Sequence, residues 1–339
     1  MKHGLTKNLR IGRIVLFIFL ICAFTVLPQQ VRAQTVKATV TVGISPIGVA
    51  VTPNGEYAYV TNANGNSISV ISTASARVTA NVTVGRWPRD VVVTPNGKYA
   101  YVTNLGSNSV SVISTATKKV TAMITVGAYP GYVAVTPNGK YAYVTNSASD
   151  TVSVISTATN TVTATITGFN NPCGVAVTPN GQYAYVANIV GGTVSVISTA
   201  TNMVTENITL GTPPWGVAVT PNGKYAYVIN EYGTVSVISA ATNTVTTTIP
   251  VGDQPNDVAV TPNGLTAYVS NSGANTVSVI STTAPTSTPT LTSTPTSSVP
   301  EFPDQLLIIA LVISMFIVLS AVIIAKKRKT QKIQRGQHV

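Results

Sequence analysis

Val49-Ala50-Val51-Thr52-Pro53-Asn54-Gly55-Glu56-Tyr57-Ala58-Tyr59-Val60-Thr61-Asn62 is the stretch whose reading decides the fold. Pro53 presets φ and Asn54-Gly55 tolerates positive φ, so Thr-Pro-Asn-Gly reads as a tight turn between two strands. On either side large residues alternate with small ones: Val49, Ala50, Val51, then Tyr57, Ala58, Tyr59. A sheet with one wet face would alternate apolar with charged residues. Large against small suits stacked sheets, where one blade's large side chains nest against its neighbour's small ones.

The turn recurs with Thr at 52, 94, 136, 178, 220 and 261, a spacing of 42 residues four times and 41 once. After Tyr-Ala-Tyr-Val each unit adds a variable loop, Val-Ser-Val-Ile-Ser, a Thr-Ala-Thr-Asn-like turn, and a Thr/Val-rich strand. In the first unit the strands are expected at 48–52, 57–61, 67–72 and 77–84. Four short strands in about 42 residues, repeated six times, predict a β-propeller blade and exclude a helical repeat of similar length. A linear β-solenoid fits less well. The sixth unit stops after its third strand, Val277-Ser278-Val279-Ile280, while Thr35-Val36-Lys37-Ala38-Thr39-Val40-Thr41-Val42-Gly43 matches the fourth-strand segment Thr244 to Gly252. The expected fold class is therefore all-β: a six-bladed propeller over residues 34–281, closed by the N-terminal strand, plus one C-terminal transmembrane helix.

The net charge of +11 belongs to the two ends of the chain. Residues 1–33 carry five Lys/Arg and no acid, residues 326–339 carry six and no acid, and residues 34–300 hold nine bases against seven acids. Nucleic-acid binding is excluded on that distribution. Lys2, Lys7, Arg10 and Arg13 precede the apolar run Ile14 to Leu27, and Val31-Arg32-Ala33 ends in a cleavage pattern, so residues 1–33 read as a signal peptide. An uncleaved anchor is the alternative. Leu306 to Ala325 is a 20-residue uncharged stretch, long enough to span a hydrocarbon core of about 30 Å. Lys326-Lys327-Arg328-Lys329 follows it, which places the basic tail, 326–339, in the cytoplasm and the propeller outside. Residues 282–305 are rich in Thr, Ser and Pro and read as an extended stalk. The expected localisation is the cell surface.

Tyr59-Val60-Thr61-Asn62, Tyr101-Val102-Thr103-Asn104 and Tyr143-Val144-Thr145-Asn146 resemble the signature of YVTN-type propeller repeats, which are similar to archaeal surface-layer proteins and bacterial relatives. The resemblance covers residues 35–281. It drifts in later units, to Tyr185-Val186-Ala187-Asn188, Tyr227-Val228-Ile229-Asn230 and Tyr268-Val269-Ser270-Asn271. Val299-Pro300-Glu301-Phe302-Pro303 before the apolar helix is similar to archaeal C-terminal sorting signals. The resemblance implies an envelope protein and leaves its ligand open.

Comparing the six units locates the variable surface. The Thr-Pro-Asn-Gly and Ser-Thr-Ala-Thr turns hardly change, whereas the loops leading into each unit do, and specificity is built in such loops. Arg86, Trp87, Arg89, Asp90, Tyr129, Tyr132, Phe169, Trp215, Asp253 and Asp257 are the candidate binding residues of that face. Aromatic and Arg side chains of this kind resemble interface hot spots and suit the apolar faces of sugar rings. The alternative for each aromatic is packing in the channel or between blades. Cys173, the only cysteine of residues 34–305, falls on this face and reads best as a small apolar filler.

The two histidines, His3 and His338, lie outside the expected ectodomain. No Ser-His-Asp or Cys-His set and no His-based metal site can form there. Asp90, Asp253 and Asp257 are the acids able to reach a channel mouth, and Arg86 and Arg89 offer them ion pairs in place of a metal. The chain is read as non-enzymatic, without cofactor or metal. The expected partners are envelope glycans or surface proteins, the membrane through the C-terminal helix, and other copies in a surface layer. Asn81-Val82-Thr83 and Asn207-Ile208-Thr209 are glycosylation sequons. Two alternatives stand beside adhesion: a propeller enzyme or sensor of lactonase or quinoprotein type, and a ligand-free spacer.

Overall fold

The computed structural model describes residues 38–282, and these form six blades. Blade 1 spans 46–83, blade 2 88–125, blade 3 130–166, blade 4 172–209, blade 5 214–250 and blade 6 255–281. Blades 1 to 5 are four-stranded antiparallel sheets in sequential order, and blade 6 has three strands. In blade 1 the strands are Pro46–Val51, Tyr57–Asn62, Ser67–Ser72 and Arg77–Thr83, each within two residues of expectation. The signal peptide, most of the stalk, the transmembrane helix and the basic tail lie outside the described residues. Among the described residues no helix is long and apolar enough to cross a membrane.

The turn between first and second strands owes its constancy to a clasp. Thr52 Oγ1 donates to Asn54 Oδ1 at 2.7 Å and accepts from the Tyr57 amide at 3.1 Å. Gly55, at φ +72°, donates its amide to the Thr52 carbonyl at 2.8 Å, a conformation that costs glycine little. The same clasp holds Thr94, Thr136, Thr178, Thr220 and Thr261.

Neighbouring blades pack through one repeated junction. The outgoing face of a blade offers the second tyrosine of Tyr-Ala-Tyr and two residues of its third strand. The next blade receives them on the Val residues of its first strand, the Ala and Val of its second, and an Ile of its third. Tyr59, Ile68 and Val70 thus meet Val91, Val93, Ala100, Val102 and Ile113. Equivalent clusters join blades 2 to 3, 3 to 4, 4 to 5 and 5 to 6. Outer hydrogen bonds add to three of these junctions: the hydroxyls of Tyr101, Tyr143 and Tyr185 donate to Asn160, Asn202 and Asn243 of the following blade at 2.7–2.8 Å.

Among the described residues five junctions join six blades, and no sixth junction is formed. First strands neighbour one another from blade 1 through blade 6, with no comparable contact between blade 6 and blade 1. Tyr268, Val277 and Val279 of blade 6 are 45%, 59% and 63% exposed, where their blade 2 counterparts Tyr101, Val110 and Val112 are fully buried. At the other end Val49 and Val51 are 65% and 55% exposed, against 4% and 8% for Val91 and Val93. The closure expected from the N-terminal strand is not formed by the part of that strand that the structure describes; residues 35–37 lie outside the described residues. Residues 38–42 carry no strand, and among the described residues blade 6 has three strands and does not pack on blade 1, so the described array is an open arc. Gly43 packs on Asn62 as Gly85 packs on Asn104, which seats Gly43 at the lead-in to blade 1.

Candidate functional site

Each first strand begins with a proline, and the two residues after it form a β-bulge in every blade. A bulge re-aims side chains that a regular strand would alternate between faces. The bulge pairs are Ile47-Gly48, Arg89-Asp90, Gly131-Tyr132, Cys173-Gly174, Trp215-Gly216 and Asn256-Asp257. Arg89, Asp90, Tyr132, Cys173 and Asp257 come together from different blades into one cluster, while Ile47 stays 54% exposed.

Arg89 of blade 2 donates from Nη2 to the Tyr132 hydroxyl at 3.3 Å, and its guanidinium lies 5.2 Å from the centre of that ring. The Cys173 thiol lies beside the Tyr132 hydroxyl and the Arg89 guanidinium. Asp90 Oδ1 accepts the Val91 amide at 2.8 Å and Oδ2 accepts the Val133 amide of blade 3 at 3.0 Å. Asp257 Oδ1 accepts the Val258 amide at 2.9 Å. Its other oxygen takes no hydrogen bond among the described residues. Burial governs the electrostatics. It pushes the Asp90 carboxyl up to about 6, the two amides opposing and the Asp257 charge reinforcing the shift. Burial also raises Asp257, holds Tyr132 at about 12 and holds Cys173 at about 11, so the cysteine is a neutral thiol at physiological pH.

The threonine of Tyr-Val-Thr-Asn positions this cluster. Thr103 Oγ1 accepts the Asp90 amide at 3.0 Å and donates to the Gly131 carbonyl of blade 3 at 2.9 Å, tying one bulge to the next. Thr61 does the same between Gly48 and Arg89. Sequence reasoning passed over these threonines as part of a repeat signature. Their signal was the loss of the hydroxyl in blades 4 and 5, where Ala187 and Ile229 stand.

The remaining candidates separate into a rim and a core. Trp87 and Tyr129, on adjacent blades, are 47% and 49% exposed at φ 52° and 54°. Their amides donate to Asn66 and Asn108 Oδ1 of the preceding blades at 2.9 and 3.0 Å, which fixes the backbone that carries both rings at the rim. Arg86 is exposed, with its guanidinium 5.9 Å from the Trp87 ring. Trp215 is half-buried beside the cluster and Asp253 is exposed on the rim of blade 6. Phe169 is a correction: only 7% exposed, it packs in the core between blades 3 and 4. At a strict 42-residue spacing it stands where Gly127 and Gly211 stand, one place before the aromatic residues of the rim. The ion pairs expected of Arg86 and Arg89 with the acids are also corrected, since both guanidiniums turn to aromatic rings. Asn81 and Asn207 are exposed on fourth strands, their Oδ1 atoms accepting from Ser69 and Ser195. Among the described residues no group of acids, His or Cys is placed to hold a metal.

The comparisons agree on architecture. A family model described as lactonase, seven-bladed β-propeller, matches residues 24–122, and a YNCE-like β-propeller model matches residues 96–190. No curated protein matches the chain. Among solved structures it is similar to hydrazine synthase from Kuenenia stuttgartiensis, at 22% identity and TM-score 0.52 over 74% of this chain and 99% of that one. It is also similar to a protein of unknown function from Desulfotomaculum acetoxidans, at 20% identity and TM-score 0.65 over 71% and 84%. A third similar structure is a candidate 6-phosphogluconolactonase from Bacteroides uniformis, at 18% identity and TM-score 0.63 over 72% and 82%. At these identities the likeness concerns the fold: this chain is a six-bladed β-propeller.

Proposed function

We propose that this is a membrane-anchored cell-surface propeller, of the YVTN type that resembles archaeal surface-layer proteins, whose bulge-side face binds envelope glycans. The observation that carries the reading is the pair Trp87 and Tyr129. Two half-exposed rings on neighbouring blades, held by hydrogen bonds to their own amides, form a rigid platform for the apolar faces of sugars. Arg86 and Asp253 supply polar groups around it. The stalk and the apolar stretch 306–325 hold the propeller above a membrane, and the exposed sequons at Asn81 and Asn207 fit a glycoprotein. The test is binding of the detergent-solubilised full chain to immobilised envelope glycans. Trp87→Ala with Tyr129→Ala should weaken binding at least tenfold while leaving the unfolding midpoint in place. Equal binding by the variant and the parent chain would sink the glycan platform and leave a spacer.

A second reading is a propeller hydrolase acting on lactones. It is supported by the lactonase match over residues 24–122 and by the two raised carboxyls, Asp90 and Asp257, in one cluster. Turnover of a simple lactone that disappears in Asp257→Asn would favour it over the glycan platform.

A further inference from the structure

The strand ends of the blades fall on two sides of the propeller, and the charges divide with them. One side carries the Thr-Pro-Asn-Gly turns and the turns between third and fourth strands. The other carries the bulges and the loops between second and third strands. On the turn side Lys98, Lys140 and Lys224 directly follow the turns of blades 2, 3 and 5, all three exposed. Arg77, Lys118 and Lys119 stand at the turns into fourth strands. The acids of this side are Glu56 and Glu206, the second accepting from Asn243 Nδ2 at 2.8 Å. On the bulge side the balance reverses. Arg86 and Arg89 stand against Asp90, Asp150, Glu231, Asp253 and Asp257. Asp150 belongs there because it accepts the Asn171 amide, ahead of blade 4, at 2.7 Å. Among the described residues, six bases against two acids on one side and two against five on the other give the propeller opposite electrical faces.

The turn side also carries the uncharged groups of a lipid interface. Tyr141 and Tyr183, the first residues of their second strands, are exposed, and so is Met203 at the start of a fourth strand. In blade 6, Leu265 stands in the place of the lysines and is 52% exposed. Tyrosine rings settle at the boundary of a bilayer, and lysines lay their stems along apolar groups while their ammonium heads meet phosphate. The chain leaves blade 6 on this same side. Thr282, the last described residue, donates its amide to the Leu265 carbonyl at 3.0 Å and its hydroxyl to the Gly264 carbonyl. Residues 283–305 separate it from the apolar stretch 306–325.

We propose that the turn side docks on anionic phospholipid headgroups, through Lys98, Lys140 and Lys224 with Tyr141, Tyr183 and Leu265 among them. The inference rests on the membrane-anchored reading and goes beyond it by naming the surface that meets the lipid. A tether as long as 283–305 lets any side of the propeller reach a bilayer, so the charges make the choice. Tethering also raises the local concentration of lipid, which lets a patch of a few lysines dock where a free patch would not. The acids of the bulge side repel the same headgroups, which opposes docking the other way up. Trp87 and Tyr129 then stay open to glycans.

The test uses the full chain with Arg86→Lys, which puts a reference amine on the bulge side. It is reconstituted into vesicles of phosphatidylcholine alone, or of equal parts phosphatidylcholine and phosphatidylglycerol. A neutral acylating reagent labels the amines, and mass spectrometry reads each position. With phosphatidylglycerol, Lys98, Lys140 and Lys224 should label at least fivefold more slowly, relative to position 86, than with phosphatidylcholine alone. Molar salt should remove that difference. Lys140→Glu with Lys224→Glu, its fold checked by circular dichroism, should cut the protection of Lys98 at least threefold. Equal relative labelling on the two lipids, or protection that molar salt leaves in place, would overturn the proposal. A carbonate wash reads the anchor separately. Chain that shows the phosphatidylglycerol-dependent protection but is washed off both vesicle types would keep the docking and sink the anchor.

Discussion

Tyr59 breaks a pattern that its counterparts keep. Tyr101, Tyr143 and Tyr185 each donate to an Asn in the following blade, but Lys118 occupies that place opposite Tyr59, whose buried hydroxyl has no partner. Lys118 also sits at φ 54°, a conformation Asn tolerates better. Tyr101→Phe should therefore cost about 1 kcal/mol in denaturant unfolding, while Tyr59→Phe costs nothing or stabilises. Lys118→Asn should stabilise by roughly 0.5–1 kcal/mol. Asp90 gives a second contrast. Its folded carboxyl titrates at about 6 against an ordinary 3.8, so between those values the folded chain binds more protons than the unfolded one. Stability should fall as pH rises from about 4 to about 6 and level off above, by an amount on the order of 1 kcal/mol. Urea midpoints measured across that range should show the slope, and Asp90→Asn should flatten it.

At the scale of the element, the bulge at each first strand does two jobs: it aims paired side chains inward and exposes amides for the threonine to bind. Thr103→Val keeps the shape but strands the Asp90 amide and the Gly131 carbonyl. It should cost roughly 1–3 kcal/mol, measured by thermal unfolding. The same change at Ser270, whose onward partner is missing, should cost less. The strands were legible because turn chemistry and period-2 alternation are local. The exposure of Trp87 and Tyr129 was legible because both are aromatic residues beside a proline in a variable loop. Phe169 was misread because counting from the nearest glycine, Gly168, shifted it one place from the 42-residue register. The convergence of Arg89, Tyr132 and Cys173 could not be read at all. It joins three blades, and a bulge in a strand leaves no distinct mark in sequence.

For the whole molecule, closure was inferred from a match between two segments, but such a match reports position within a repeat and says nothing about curvature. Whether the last blade reaches the first is set by the sum of five junction angles. The open arc predicts an asymmetry between equivalent valines. Val112→Ala, in a closed junction, should cost roughly 1.5–3 kcal/mol, whereas Val279→Ala at the bare end should cost almost nothing in the isolated chain. The apolar junctions join each blade only to its neighbours, so most of the cohesion is passed along the arc from junction to junction. A load applied from the C-terminal side therefore enters through blade 6, which among the described residues packs an apolar junction on one face only. Under tension the arc should yield there first and then unzip one blade at a time toward blade 1, a row of mechanical fuses rather than a ring that must break all at once.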